Sequence, residues 1–223
     1  MRAAAVLPAG GAGLRMGSER RKQYARLAGE PIVVRAVRPF LEHPAVEWVV
    51  VALPEEDVAA PPVELPGAVI RVAGGAERGD SVRSGLDAVP EAAETVVIHD
   101  AARPLLTREL LDRVLGAVTP ETGAIAALPV ADTVKRVDDR RFITGTVDRT
   151  GLWRAQTPQA FPRTMIARAY ARAAQDGVAA SDDAALVERY GGRVVVVDGD
   201  PRNLKVTRTE DLALAELLLA AGP

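Results

Sequence analysis

Leu7-Pro8-Ala9-Gly10-Gly11-Ala12-Gly13-Leu14-Arg15-Met16, with Lys22-Gln23 close behind, decides how this chain is read. The run before it, Ala3 to Leu7, is short and wholly apolar, the pattern of a buried first strand. Three glycines then fall within four positions, and no hydrophobic periodicity returns until about Ile32. Glycines let the backbone approach a ligand closely and aim several N–H groups at it, which is how a loop cradles phosphate oxygens. Pro8, Ala9, Gly10, Gly11 and Gly13 make up that cradle, and Arg15 and Lys22 add the cations that phosphate needs. Spacing excludes two common phosphate loops. A dinucleotide fingerprint needs a third glycine where Met16 stands, and a P-loop needs Gly-Lys-Ser/Thr at its end.

Outward from this loop the chain alternates apolar strands with amphipathic helices. Ile32 to Leu41 has helical spacing with Pro31 at its start, and Val46 to Leu53 is a buried strand. Pro54 to Gly67 carries four prolines and reads as a loop with a turn of helix. Strands are predicted at Ala68 to Ala73, Thr95 to His99, Gly123 to Val130 and Arg193 to Val197. Helices are predicted from Gly74-Gly75 through Val89, from Thr107 to Val118, from Pro162 to Gln175, from Asp182 to Tyr190 and from Thr209 to Ala221. Thr107 and Thr209 are the expected N-caps. The alternation implies one domain over residues 1–223, a three-layer, mostly parallel, Rossmann-like α/β sheet with function at the carboxyl ends of its strands. Between about 132 and 155 the helical pattern lapses into two alternating runs around Asp138-Asp139, which predicts a protruding β-hairpin arm.

Composition narrows the class. The chain has 223 residues, 48% hydrophobic and 26% charged, enough for a substantial core. Its net charge of -2 provides no broad basic field, so no nucleic acid partner is expected. Cysteine is absent, which excludes disulfides and thiolate metal centres and suits a reducing cytoplasm. No apolar run approaches ~20 residues, so no membrane span is expected.

Asp100 ends a predicted strand in His99-Asp100-Ala101-Ala102-Arg103-Pro104. One carboxylate near a phosphate loop, with small alanines leaving room, suits Mg²⁺ or another divalent cation that takes its remaining ligands from phosphate and water. The plainer reading is a helix-capping aspartate beside Arg103. His99 is expected to be a packed strand-end residue.

Pro8-Ala9-x-Gly11-x-Gly13-x-Arg15-Met16, followed by Lys22-Gln23-Tyr24, resembles the nucleotide loop of the 2-C-methyl-D-erythritol 4-phosphate cytidylyltransferases, nucleotidyltransferases of the non-mevalonate isoprenoid pathway. The His99 to Pro104 run is similar to theirs as well, as are Gly74-Gly75-x-x-Arg78-x-x-Ser81-Val82, the stretch from Thr146 to Phe161 and Asn203-Leu204-Lys205-Val206-Thr207. Three departures stand out: Gly10 and Ser181 where the family usually has Ala and Thr, and Ala76 where it often has Asp.

The resemblance implies that Gly75 and Ser81 read the cytosine of CTP, that Ala101 lies against the nucleotide and that Asp100 holds the metal. It implies that Thr133, Arg149, Thr157 and Ser181 grip a sugar-alcohol phosphate, and that Lys205 reaches the reacting phosphate beside Arg15 and Lys22. It also implies a homodimer joined through the arm. A ribitol-5-phosphate cytidylyltransferase would share every nucleotide motif, a uridylyltransferase or glycosyltransferase could share the architecture, and a non-catalytic nucleotide-binding module is the rival outside enzymes.

Arg15 and Lys22 lie in a stretch without core periodicity. Arg15→Ala and Lys22→Ala are therefore expected to lower turnover far more than they lower the melting temperature, as steady-state kinetics beside thermal denaturation will show.

Overall fold

The computed structural model describes residues 1–11, 21–179 and 182–222. Strand β1 (Ala3–Pro8) is inaccessible from Ala3 to Leu7, and its side chains alternate between two cores. Ala3, Ala5 and Leu7 pack with Val37 and Phe40 on one face of the sheet, while Ala4 and Val6 pack with Val82 and Ile98 on the other. Burial on both faces is why the run is apolar throughout instead of alternating.

A two-residue ribbon, β2 (Arg26–Leu27) with β3 (Glu30–Pro31), leads into α1 (Ile32–Leu41). There follow β4 (Val46–Leu53), β5 (Val69–Ala73), α2 (Arg78–Asp87), β6 (Thr95–Ile98), α3 (Arg108–Gly116) and β7 (Thr122–Pro129). The hairpin β8 (Val134–Val137) and β9 (Ile143–Val147) comes next, then β10 (Trp153–Pro162), α4 (Arg163–Asp176), α5 (Asp183–Arg189), β11 (Arg193–Asp198) and α6 (Thr209–Ala220). A short 3-10 turn at Glu55–Asp57 accounts for the helical turn expected in the proline-rich loop.

Seven strands form one sheet in the order β11-β7-β10-β6-β1-β4-β5. Every pairing is parallel except those of β10, which runs antiparallel between β6 and β7. The chain leaves β1 toward β4 on one side and returns as β6 on the other, so the sheet has its topological switch point beside β1. In open α/β sheets that crevice is where ligands bind. Leu110, Leu111 and Val114 of α3 join the α1 side, and Val82 of α2 with Ile166 of α4 and Val187 of α5 cover the opposite face, completing three layers.

Strand β10 was not among the sequence expectations, and two further details differ from them. The arm hairpin is present, but Trp153 to Ala155 pair with Pro129 to Ala127 and belong to the central sheet. The second concerns α6, which is capped from inside: Asp211 accepts from the Thr207 hydroxyl and from the Thr207 and Arg208 amides, with Arg208 at the N-cap position and Thr209 already helical. Thr107 does cap α3, its hydroxyl accepting from the Leu110 amide at 3.3 Å. Among the described residues no helix is long and apolar enough to cross a membrane.

Strand β10 carries polar residues into the crevice, and its seat depends on one glycine. A methyl group at Gly123 of β7 would stand 2.3 Å from the Phe161 ring and 3.1 Å from the Ala160 carbonyl. Gly123→Ala is expected to cost about 1–3 kcal/mol by overpacking, read from urea denaturation, and adding Phe161→Leu should recover part of it.

Candidate active site

Loops from β1, β5, β6 and β10 meet at the switch point. Pro8, Ala9, Gly10, Gly11, Lys22, Ser81, Asp100, Ala101 and Lys205 line one cavity of about 160 Å³. A second of about 290 Å³ abuts it through Arg78, Asp100 and Lys205, with Arg103, Gln156, Thr157 and Gln159 on its wall. A roomier hollow of about 580 Å³ lies beyond the Asp100 turn, between α1, α3 and the end of α6, and none of the candidate catalytic, nucleotide, substrate or metal residues lines it.

The phosphate loop is pinned at its base by a buried side chain. Gln23 donates its amide to the carbonyl of Ala9 at 2.8 Å and more weakly to that of Gly11 at 3.4 Å. A peptide unit is planar and trans, so the Gly10 N–H points away from Gln23. Next to Lys22 and Gln23, the Tyr24 hydroxyl donates to Asp57 at 2.7 Å and Arg21 pairs with Glu56, tying the end of the loop to the turn at Glu55–Asp57.

Gly10 and Gly74 face one another. A Cβ on either would come within 3.3 Å of the other's Cα and within 2.9 Å of the Ser81 hydroxyl. Gly75 is equally constrained, since its Cβ would overlap Asp80 at 2.2 Å. The Ser81 hydroxyl accepts from the Gly75 amide at 3.2 Å and donates to the Glu77 carbonyl at 3.3 Å. It therefore shapes the Gly75 loop from behind.

Asp100 follows β6 after one residue, His99, and is the electrostatic centre of the site. Arg78 Nε donates to one of its oxygens at 2.8 Å, Lys205 Nζ to the other at 2.8 Å, and Arg103 Nε stands 3.8 Å away. Burial opposes ionisation, but Arg78 and Lys205 overcome it and hold the carboxyl well below the usual carboxylate range. Arg78 also forks onto Asp183 with contacts of 2.8 and 3.1 Å, and the Tyr170 hydroxyl donates to Asp183 at 2.6 Å. Although burial works against the guanidinium, Asp183 and Asp100 keep its pKa raised. Arg78 was visible in the motif that opens α2, yet nothing in the sequence showed that it would bridge two carboxylates 22 and 105 positions away.

His99 is buried, as expected of a packed strand end. Burial drives its pKa down to about 4, so the ring is neutral. Thr157 is also buried, and its hydroxyl contacts the Asp100 amide at 3.0 Å and His99 Nδ1 at 3.1 Å.

Thr133 and Arg149 are exposed on the arm and line neither cavity of their own chain. Gly13, Arg15 and Ser181 lie outside the described residues.

A magnesium ion keeps several waters and needs only one or two carboxylates besides substrate phosphate. Asp100 offers one carboxylate held ionised, and no group of three or more His, Cys, Asp or Glu among the described residues could enclose a metal. This donor set fits a cation that arrives with phosphate, and of the carboxylate's partners Lys205 is the most exposed.

A family model described as 2-C-methyl-D-erythritol 4-phosphate cytidylyltransferase matches residues 3–221. Proteins of that name from Rhodococcus jostii and Syntrophus aciditrophicus are 46% and 44% identical, covering 98% and 96% of this chain and 95% and 94% of their own lengths. The crystal structure of the protein of that name from Thermus thermophilus has a TM-score of 0.82 at 32% identity, covering 99% of this chain and 100% of that one. The crystal structure of the 4-diphosphocytidyl-2C-methyl-D-erythritol synthase from Anaerococcus prevotii has a TM-score of 0.85 at 26% identity, covering 98% and 96%. Glycine loop, buried aspartate and converging cations thus sit in a chain that matches one family from end to end, and this chain belongs to the 2-C-methyl-D-erythritol 4-phosphate cytidylyltransferase family.

Proposed function

We propose that this chain transfers the cytidylyl group of CTP to the phosphate of 2-C-methyl-D-erythritol 4-phosphate, giving 4-diphosphocytidyl-2-C-methyl-D-erythritol and pyrophosphate. The observation that carries the reading is the meeting of Lys22, Asp100 and Lys205 around one glycine-lined cavity, in a chain that matches the family over residues 3–221. The relatives described above carry the methylerythritol name, so a ribitol phosphate substrate is not favoured.

An oxygen of the substrate's phosphate forms a bond to the α-phosphorus of CTP, and the bond from that phosphorus to the bridging oxygen of the β-phosphate breaks. The electron pair leaves with pyrophosphate. A phosphate monoester has its second pKa near ~6 and is already largely a dianion at neutral pH, so no general base is needed. His99 agrees with this, being buried with both ring nitrogens engaged.

The barrier is charge: two polyanions must meet. A charge pair at ~4 Å is worth about 4 kcal/mol at an effective dielectric near 20, so a few fixed cations decide the rate. Lys22 and Arg15 balance the triphosphate and the departing pyrophosphate, and Lys205 stabilises the α-phosphoryl group. Gly75, held by Ser81, presents backbone groups to the base. Asp100 would hold Mg²⁺, which when bound supplies further positive charge at the phosphates.

The arm supports a homodimer. Phe142 and Ile143 are 68% and 65% exposed, and a two-stranded hairpin is marginal on its own. A second copy packed against it would bring Arg149 and Thr133 to the neighbour's cavity, where the guanidinium can hold the substrate phosphate with two parallel bonds. A cytoplasmic setting suits a chain without cysteine.

Pyrophosphate release, measured with CTP against a panel of sugar-alcohol phosphates, is expected with 2-C-methyl-D-erythritol 4-phosphate and not with ribitol 5-phosphate. Release with none of them would overturn the enzymatic reading. The composite site has its own test. Lys22→Ala and Arg149→Ala homodimers should each be nearly inactive, whereas exchanging their subunits should restore one of the two sites in every mixed dimer. Mixed dimers that stay inactive would place Arg149 outside the neighbour's site.

A further inference from the structure

We propose that His99 and Thr157 are positioning residues for the reaction: the imidazole braces the turn from Asp100 to Arg103 at both ends, once through the Thr157 hydroxyl. In doing so it fixes where Asp100 and Lys205 present their charges.

Hydrogen-bond chemistry sets the direction of every link. His99 Nε2 lies 3.0 Å from the Arg103 carbonyl, which can only accept, so Nε2 carries the proton. The Thr157 hydroxyl takes the Asp100 amide on its oxygen, so its own proton is left to point at Nδ1. Nδ1 therefore accepts from the Thr157 hydroxyl at 3.1 Å, and the hydroxyl oxygen accepts the Asp100 amide at 3.0 Å. The turn is closed from inside as well, the Arg103 amide donating to the Asp100 carbonyl at 2.9 Å. Phe40 packs against the ring with centroids 5.4 Å apart, so the imidazole has little room to move.

The same assembly sets Lys205 from both flanks. On one side Asn203 donates its amide to the Thr157 carbonyl at 2.7 Å, and Arg103 donates to the Asn203 carbonyl at 2.7 Å. On the other the Val206 amide donates to the Ala102 carbonyl at 2.8 Å. One ring thus governs a turn, and that turn governs the strand end bearing the metal-site carboxylate and the loop bearing the lysine. Neither His99 nitrogen is available to a substrate, so its effect passes through Asp100 and Lys205.

The catalytic part of this inference rests on the cytidylyl-transfer reading, but the hydrogen-bond part can be measured without substrate. Long-range ¹H–¹⁵N correlation spectra of the wild-type protein should show His99 protonated at Nε2 alone, and an Nδ1-protonated ring would overturn the proposal. Thr157→Val keeps the shape and removes the hydroxyl. It should move the Asp100 amide resonance and lower kcat about 10- to 100-fold by misplacing charge at the reacting phosphate. KM for CTP should stay within about threefold, because the lost stabilisation develops in the transition state. Thr157→Ser should recover most of kcat. A folded Thr157→Val protein with wild-type kcat, or a Ser variant as impaired as the Val one, would overturn the proposal. Should the Val variant fail to fold, His99→Asn, which keeps an acceptor toward Thr157 and loses the donor to Arg103, must retain the Asp100 amide position for the proposal to stand.

Discussion

The buried carboxylate of Asp100 is the interaction on which the site depends. Three cations, Arg78, Arg103 and Lys205, lie within 4 Å of it, and burying any of these charges without its partners would cost several kcal/mol. Removing Asp100 would leave the cations repelling one another across a cavity wall. Removing Arg78 would strand two carboxylates, since Asp183 shares the same guanidinium. Arg78 also draws α2, the end of β6 and the start of α5 together. With Asp183 counted, three cations face two carboxylates, so the cluster keeps a net positive charge. A cavity with that balance and a glycine floor attracts phosphate.

Close backbone approach is the second constraint. Gly10 and Gly74 belong to loops that follow neighbouring parts of the sheet, and they touch because neither has a Cβ. This contact is what lets the Ser81 hydroxyl at the start of α2 reach the Gly75 amide. The sequence marked Gly10 as a place where a ligand comes near, the family resemblance did the same for Gly75, and Gly74 read as no more than a turn. In the structure, part of their requirement comes from the protein itself, which packs its own loops tightly before any ligand arrives.

How much of this was legible follows from the period of each signal. The parallel strands β1, β4 and β6 are buried on both faces and read as apolar runs, so their existence and rough limits could be taken from the sequence. Strand β10 escaped. Its central residues are Gln156, Thr157, Pro158 and Gln159, a polar stretch broken by proline, and the ladder with β7 shifts register between Ala155 and Gln159. Proline is tolerated there because the bulge releases it from pairing. The positions of Asp100 and Lys205 in the site could be inferred from motifs, but the partners that set their charge could not. Contacts among Arg78, Asp183 and Tyr170 join separate helices, and no periodicity encodes such a meeting.

The arm shows where the information of one chain ends. Arg78, Arg103 and Lys205 are already engaged by Asp100 or Asp183, and Arg149, the guanidinium expected to hold the second phosphate, projects from a hairpin outside its own cavities. Val137, Phe142 and Ile143 on that hairpin expose apolar surface that folding of the single chain does not cover. Both features have one physical remedy. On the composite-site proposal, a partner subunit covering the apolar hairpin would bring an extra positive charge to the cavity it contacts, and the hydrophobic gain of assembly and the charge needed to hold a second polyanion would come from the same contact.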